Sequence, residues 1–247
     1  MNNTITRITF VVAGLMFITG STQAAVVALD FNNLPSSQGW TYESTAGFGG
    51  VGTGPVESAI MTVSGGVLVG DTYTDYSTSS LVTAVYRQYT PGIDFSRAFS
   101  IDMRSRVTNY ETPSHLAGNL YGFLFGVNTG TESYYFGMNT AAIQSGIDNS
   151  ILGSLDVTVF HDFLLEVDPG VGYHLYVDNG LIASGVGRSA TYPAAFYFGD
   201  STRDPNSRYE MTAFSISQDE LNPVPVGGVL SLMLAGMLIG VGRAALR

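Results

Sequence analysis

From Phe99 to Val107 the chain alternates: Phe99, Ile101, Met103 and Val107 are apolar, while Ser100, Asp102, Arg104 and Arg106 are polar. A period of two is the mark of a strand with one dry face, because successive side chains leave a pleated strand on opposite sides. The period returns downstream, with Val157, Val159, Phe163, Leu165 and Val167 on one side and Thr158, Asp162 and Glu166 on the other. Tyr173, Leu175 and Val177 form a third case. Tyr121, Phe123, Phe125 and Val127 alternate instead with Leu120, Gly122, Leu124 and Gly126, so this strand is expected to be covered on both faces. Further strands are expected near 26–31, 59–63, 66–70, 81–88, 133–139, 194–199 and 209–216. No apolar stripe persists at 3.6 residues between 26 and 222, which argues against any long amphipathic helix there.

Turn chemistry divides the strands. Asp178-Asn179-Gly180 between two apolar runs is a strong hairpin signal, because Asn179-Gly180 tolerates positive φ. Asp168-Pro169-Gly170 does the same one strand earlier. Long loops are expected at 32–57, 71–80 and 108–119. No repeat or linker divides the body. The economical fold is all-β, one two-sheet antiparallel sandwich of about ten to twelve strands.

Composition narrows the chemistry. The chain has no cysteine, which removes thiolate nucleophiles, disulfides and zinc–thiolate sites. Its ten basic residues are all arginine against 20 acidic ones, for a formal charge of −10. Nucleic acid is therefore not an expected partner, since phosphate affinity comes from clustered positive charge.

The two ends read differently from the body. Arg7 precedes an uncharged stretch from Ile8 to Gly20, and small residues follow through Ala25, as in a secretory signal over 1–25. The stretch is shorter than the roughly 18 residues a membrane anchor needs. After Asn222-Pro223-Val224-Pro225, Val226 to Gly242 carries no charge, and Arg243 and Arg247 close the chain. As a helix that run is about 25 Å long, enough for a thin bilayer. The tail over 223–247 resembles PEP-CTERM/VPLPA-type sorting signals of Gram-negative bacteria, with Val224 and Pro225 in the motif and Arg243 and Arg247 as the terminal basic residues. That resemblance implies processing by an exosortase-type enzyme after transient inner-membrane anchoring. The implied destination is the cell surface, the outer membrane or the extracellular matrix. An ordinary tail anchor is the alternative.

The body, 26–222, resembles a second family. Phe160-His161-Asp162-Phe163-Leu164-Leu165-Glu166, then Tyr173-His174-Leu175-Tyr176-Val177-Asp178-Asn179-Gly180, look like the core strands of concanavalin A-like, laminin-G-type jelly rolls. Phe198-Gly199-Asp200-Ser201 and the strand from Tyr209 are similar to that family's closing strands. The resemblance implies a jelly-roll sandwich, often binding glycan or protein, sometimes with calcium.

Candidate sites follow from residue chemistry. Trp40, Tyr42, Tyr73, Tyr76 and Tyr110 fall in expected loops, where aromatic faces stack on sugar rings; packing against the sandwich is the competing use. Asp200, Asp204 and Asn206 make an oxygen-rich turn that a hard cation such as calcium would accept, though the spacing is not that of an EF-hand. His161 is in phase with core residues and is expected to be a buried, hydrogen-bonded histidine, whereas His174 faces outward beside Asp178. Glu166 and Asp168 share a strand face but read as a solvated hairpin end, since the third carboxylate of a jelly-roll glycosidase set is replaced by Val171. Gly47-x-Gly49-x-x-Gly52 has no helix pattern after it and is not a nucleotide loop. The expected function is binding of glycan or protein in the extracellular polymer layer, without catalysis or an obligatory cofactor. A glycan-active hydrolase or lyase on the same fold is the alternative.

Overall fold

The computed structural model describes residues 25–46, 52–74, 82–89, 91–111, 121–200 and 206–218. Residues 1–24 of the expected secretory segment, the tail motif (Val224, Pro225, Arg243, Arg247), Tyr76 and Asp204 lie outside the described residues, while Ala25 opens the first strand. No helix among the described residues is long and apolar enough to cross a membrane.

Two antiparallel sheets face each other in a jelly-roll sandwich. The first runs β14 (Gly180–Gly185), β13 (Gly172–Val177), β12 (His161–Asp168), β7 (Phe99–Glu111), β17 (Asn206–Gln218), β5 (Val67–Asp71) and β4 (Met61–Ser64), with β1 (Ala25–Ala28) also on β17. The second runs β11 (Ile151–Ser154), β10 (Ala142–Ser145), β9 (Glu132–Met138), β8 (Phe123–Asn128), β16 (Ala195–Asp200), β6 (Val82–Gln88), β2 (Thr41–Ala46) and β3 (Gly52–Thr53), with β15 (Arg188–Ser189) on β9.

The alternation read in the sequence decides which side of the first sheet is dry. Phe99, Ile101 and Met103 of β7 sit in register with Val167, Leu165 and Phe163 of β12, and all six are buried. Leu175 and Val177 extend that face through β13. From the other sheet come Phe123, Phe125, Phe196, Phe198 and Tyr86. Rings meet across the sandwich: Phe123 and Tyr209 at 4.4 Å, Phe198 and Phe214 at 5.1 Å, Phe99 and Phe196 at 5.3 Å. In β17 the pattern changes phase, because a bulge between Met211 and Ala213 lets Tyr209, Met211, Phe214 and Ile216 all face inward.

Several expectations need correcting. Val159 is half exposed in a turn before β12, because the strand begins only at His161. The expected loop 32–57 contains β2, β3 and a 3-10 turn and ends at the first residue of the short helix α1 (Glu57–Ile60). The loop expected from 108 begins later, since β7 continues to Glu111 by pairing with β17. The Asp178-Asn179 pair, not Asn179-Gly180, carries the positive φ values (48° and 67°) of the hairpin turn. Gly180 already pairs with Val177. At Asp168-Pro169-Gly170 the reading holds: Gly170 has φ 78° and the Val171 N–H donates to the Asp168 carbonyl at 2.9 Å.

Candidate functional site

Trp40 is not an exposed platform. It is 3% exposed and packs between Phe198 (5.1 Å) and Phe214 (5.3 Å). Its own segment explains this: the turn Pro35–Gln38 ends at Gly39, whose φ of 87° swings the chain inward, and the Trp40 N–H donates to the Pro35 carbonyl. Tyr42 is likewise half-buried, packed 5.6 Å from Tyr86, with its hydroxyl donating to the Pro55 carbonyl at 3.2 Å. Tyr110 packs against the core, and Tyr73 is half-buried just beyond β5. None of these four expected ligand-binding aromatics is exposed.

The oxygen-rich turn is corrected too. Asp200 and Asn206 are buried at the ends of β16 and β17, and the Asp200 carboxylate accepts the Thr72 hydroxyl. No cluster of three or more His, Asp or Glu suited to a metal occurs among the described residues.

His161 is buried, as its phase predicted, and both ring nitrogens are occupied. Nδ1 lies 2.6 Å from an Asp178 carboxylate oxygen and Nε2 lies 2.9 Å from the Asp156 carbonyl. Both partners are acceptors, so the arrangement favours the doubly protonated ring. Burial opposes that charge, but the Asp178 and Asp156 hydrogen bonds outweigh it and raise the His161 pKa. The Asp178 carboxyl is held below its ordinary range by the Asp162 N–H and by His161. This unit is a pin between β12 and the β13–β14 turn, with both ring nitrogens engaged. Asp178 thus serves His161; His174 is exposed across from Glu166 instead. Glu166 and Asp168 are exposed at their hairpin end, as expected.

The arrangement with room for a ligand lies on the outer face of the second sheet. Register places Arg87, Tyr197, Gly126 and Tyr135 side by side across β6, β16, β8 and β9. Asn128, Ser133 and Arg188 form the adjoining row across β8, β9 and β15. With Tyr121, Leu124 and Ser189 to Tyr192 they line a groove of about 430 Å³, within the range of small-ligand sites. Gly126 puts no side chain between Tyr197 and Tyr135. Gly137 lets the Tyr121 ring lie directly on β9, since a Cβ there would fall 1.9 Å from the ring.

The groove has an apolar floor and a polar rim. Tyr121, Leu124 and Tyr197 pack as one cluster with the half-buried Tyr135, and Tyr192 is 67% exposed. The Arg87 guanidinium stands 5.5 Å from the Tyr197 ring centre and bonds Glu43 at 2.8 Å. Arg188 Nη1 donates to the Tyr135 hydroxyl at 3.4 Å. Burial pushes the Tyr121 phenol up to about 12 and Tyr197 well above its ordinary value, with Tyr135 adding to both. Those two phenols stay protonated at neutral pH. They offer ring faces and hydrogen bonds, not a base. Among the described residues no Asp or Glu lines the groove. Gln144, in register with Gly137 and on the same face, is fully buried, and its amide atoms have no hydrogen-bond partner among the described residues.

None of these groove residues stood out in the sequence. The available signal was the strand 121–127, covered on both faces, which implied a second apolar surface on one sheet. Tyr134-Tyr135 and Tyr197-Phe198 carry the same mark, an aromatic on each side of the strand.

No family model matches this chain, and no curated protein matches it in sequence. Among solved structures it is similar to the β-glucanase of Bacillus licheniformis, at 10% identity and a TM-score of 0.51, over 80% of this chain and 100% of that one. It is similar to a sialidase at 10% identity and a TM-score of 0.54, over 79% of this chain but 19% of that one. A prokaryotic β-1,3-1,4-glucanase (lichenase) derived from a mouse hindgut metagenome aligns at 13% identity with a TM-score of 0.48, over 78% of this chain and 99% of that one. At these identities the shared property is the two-sheet jelly roll.

Proposed function

We propose that this protein is an exported, surface-retained glycan-binding jelly roll that holds sugar rings in the groove on its second sheet and does not cleave them. The observation that carries this reading is the groove's lining: four tyrosines, two arginines, an asparagine and two serines, with no carboxylate among the described residues. Tyrosine rings offer flat apolar faces for pyranose rings, and side-chain amides, hydroxyls and guanidinium groups bond sugar hydroxyls. The neighbouring folds named for glucanase and sialidase agree with a glycan role. Export is supported by the charge-free stretch from Ile8 to Gly20. Surface retention is supported by the Pro-containing, apolar, Arg-ended tail, which suits an exosortase-type partner and a transient membrane helix.

The test is a glycan array probed with the full chain and with Tyr135→Ala, with and without a chelator, alongside an assay for polysaccharide shortening. Tyr135 is half-buried at the groove, so its loss should weaken retention by about 1–2 kcal/mol while the fold persists. Chelator should leave binding unchanged; loss on chelation would point to calcium at the site. Release of new reducing ends or unsaturated products would favour a hydrolase or lyase.

A further inference from the structure

Resting on that glycan-binding reading, we propose that the groove selects acidic polysaccharide and that Arg188 grips the carboxylate of a uronate ring seated on Tyr135.

In this lysine-free chain arginine supplies all the Lys/Arg-type charge. Arg87, Arg104, Arg106 and Arg208 each meet a carboxylate at 2.7–2.8 Å: Glu43, Asp162, Glu210 and Asp71. In a chain with twice as many acidic as basic residues, such pairing is the expected fate of a guanidinium. Arg188 departs from it. It is exposed on β15, and among the described residues it pairs with no carboxylate, only with the Tyr135 hydroxyl at 3.4 Å. Among the described residues no carboxylate offsets its charge, and none lines the groove on whose wall it stands.

The placement suits one class of ligand. A guanidinium presents planar, parallel N–H donors that match both oxygens of a carboxylate. A uronate carries its carboxylate on the pyranose ring itself. The Arg188–Tyr135 contact sets such a fork at the edge of an aromatic face, so one sugar residue engages both. Arg87 plays another part: Glu43 offsets its charge, and its plane lies by Tyr197, where it shapes the floor. The protein's net negative field repels polyanions at a distance, but salt screens that field beyond about 8–10 Å. Contact in the groove is then decided by the nearest charge.

The experiment measures binding of the full chain to polygalacturonate, to the same polymer after carboxyl reduction, and to dextran sulfate. Wild type and Arg188→Gln are compared, and their circular dichroism spectra are matched first. Wild type should prefer polygalacturonate over its reduced form by about ten- to a hundred-fold, the range for a hydrogen bond to a charged group. Arg188→Gln should bring that ratio close to one. A ratio near one in wild type, or one unchanged by the substitution, overturns the assignment while leaving glycan binding intact. Equal retention on dextran sulfate, lost equally in Arg188→Gln, also overturns it, as adsorption of any polyanion. Failure to bind either sugar polymer would instead defeat the glycan-binding reading on which the proposal rests.

Discussion

Replacing Trp40 by alanine separates a core residue from a surface platform more sharply than any other single change. The indole is 3% exposed and touches one ring from each sheet, Phe198 at 5.1 Å and Phe214 at 5.3 Å. Truncation removes roughly 150–200 Å² of buried apolar surface beyond what alanine retains, about 4–5 kcal/mol at 25 cal/mol per Å². Measured losses for buried Trp and Phe truncations span about 3–5 kcal/mol, so about 4 kcal/mol is the expected cost. For a body of this size that lowers the melting temperature by about 8–16 °C. Trp40→Phe keeps a ring between the same neighbours and should cost about 1–2 kcal/mol. Urea unfolding of the full chain, followed by circular dichroism, gives both values. In the wild type, the single indole should also shift its fluorescence to the red as the sandwich opens. An unchanged urea midpoint for Trp40→Ala, together with reduced glycan retention, would refute the burial argument and restore this residue as a binding platform.

Three further outcomes follow from the same geometry. The His161 pin makes stability depend on pH: a pKa raised by folding stabilises fully below the unfolded value of about 6.5 and is lost as pH rises through the folded value. The lowered Asp178 pKa contributes above about 3.9 and is lost as pH falls through its folded value. The gap between wild type and His161→Asn in urea midpoint should therefore be widest near pH 5–6 and narrow by pH 9; a gap that ignores pH contradicts the imidazolium assignment. Gly137→Val would place a side chain where the Tyr121 ring lies, so tyrosine must leave the groove floor and glycan retention should fall, as the array assay would read. Arg104→Ala removes an exposed ion pair with Asp162 (side chains 45% and 64% exposed) and should change stability by no more than about 1 kcal/mol, checked by thermal unfolding.

Legibility in the sequence tracked how local the cause was. Alternation in 99–107, 163–167 and 173–177 set the dry face of the first sheet, because burial of every second residue follows from the strand's own geometry once one side is covered. The hairpin at Asp178 and the turn at Pro169 were readable for the same reason: a few adjacent residues determine them. The phase of His161 foretold its burial. Its partners at positions 156 and 178 were not foretold, since they arrive from a turn and from a neighbouring hairpin.

The groove was decided at a different level. Tyr121 and Tyr135 meet through the β8–β9 pairing, but Tyr197, much later in the chain, joins their surface only because β16 pairs between β6 and β8, beside Arg87 and Gly126. Trp40 shows the converse. Among the Gly, Ser and Thr residues around it, it reads as a loop aromatic, yet the cavity between Phe198 and Phe214 captures it. The sequence by itself determined that this chain would form two-faced strands, where they turn, and that cysteine chemistry plays no part. Which aromatics pack and which face solvent was settled by the tertiary structure. Burial depends on what the opposite sheet and neighbouring strands bring within contact, and no local pattern encodes that pairing.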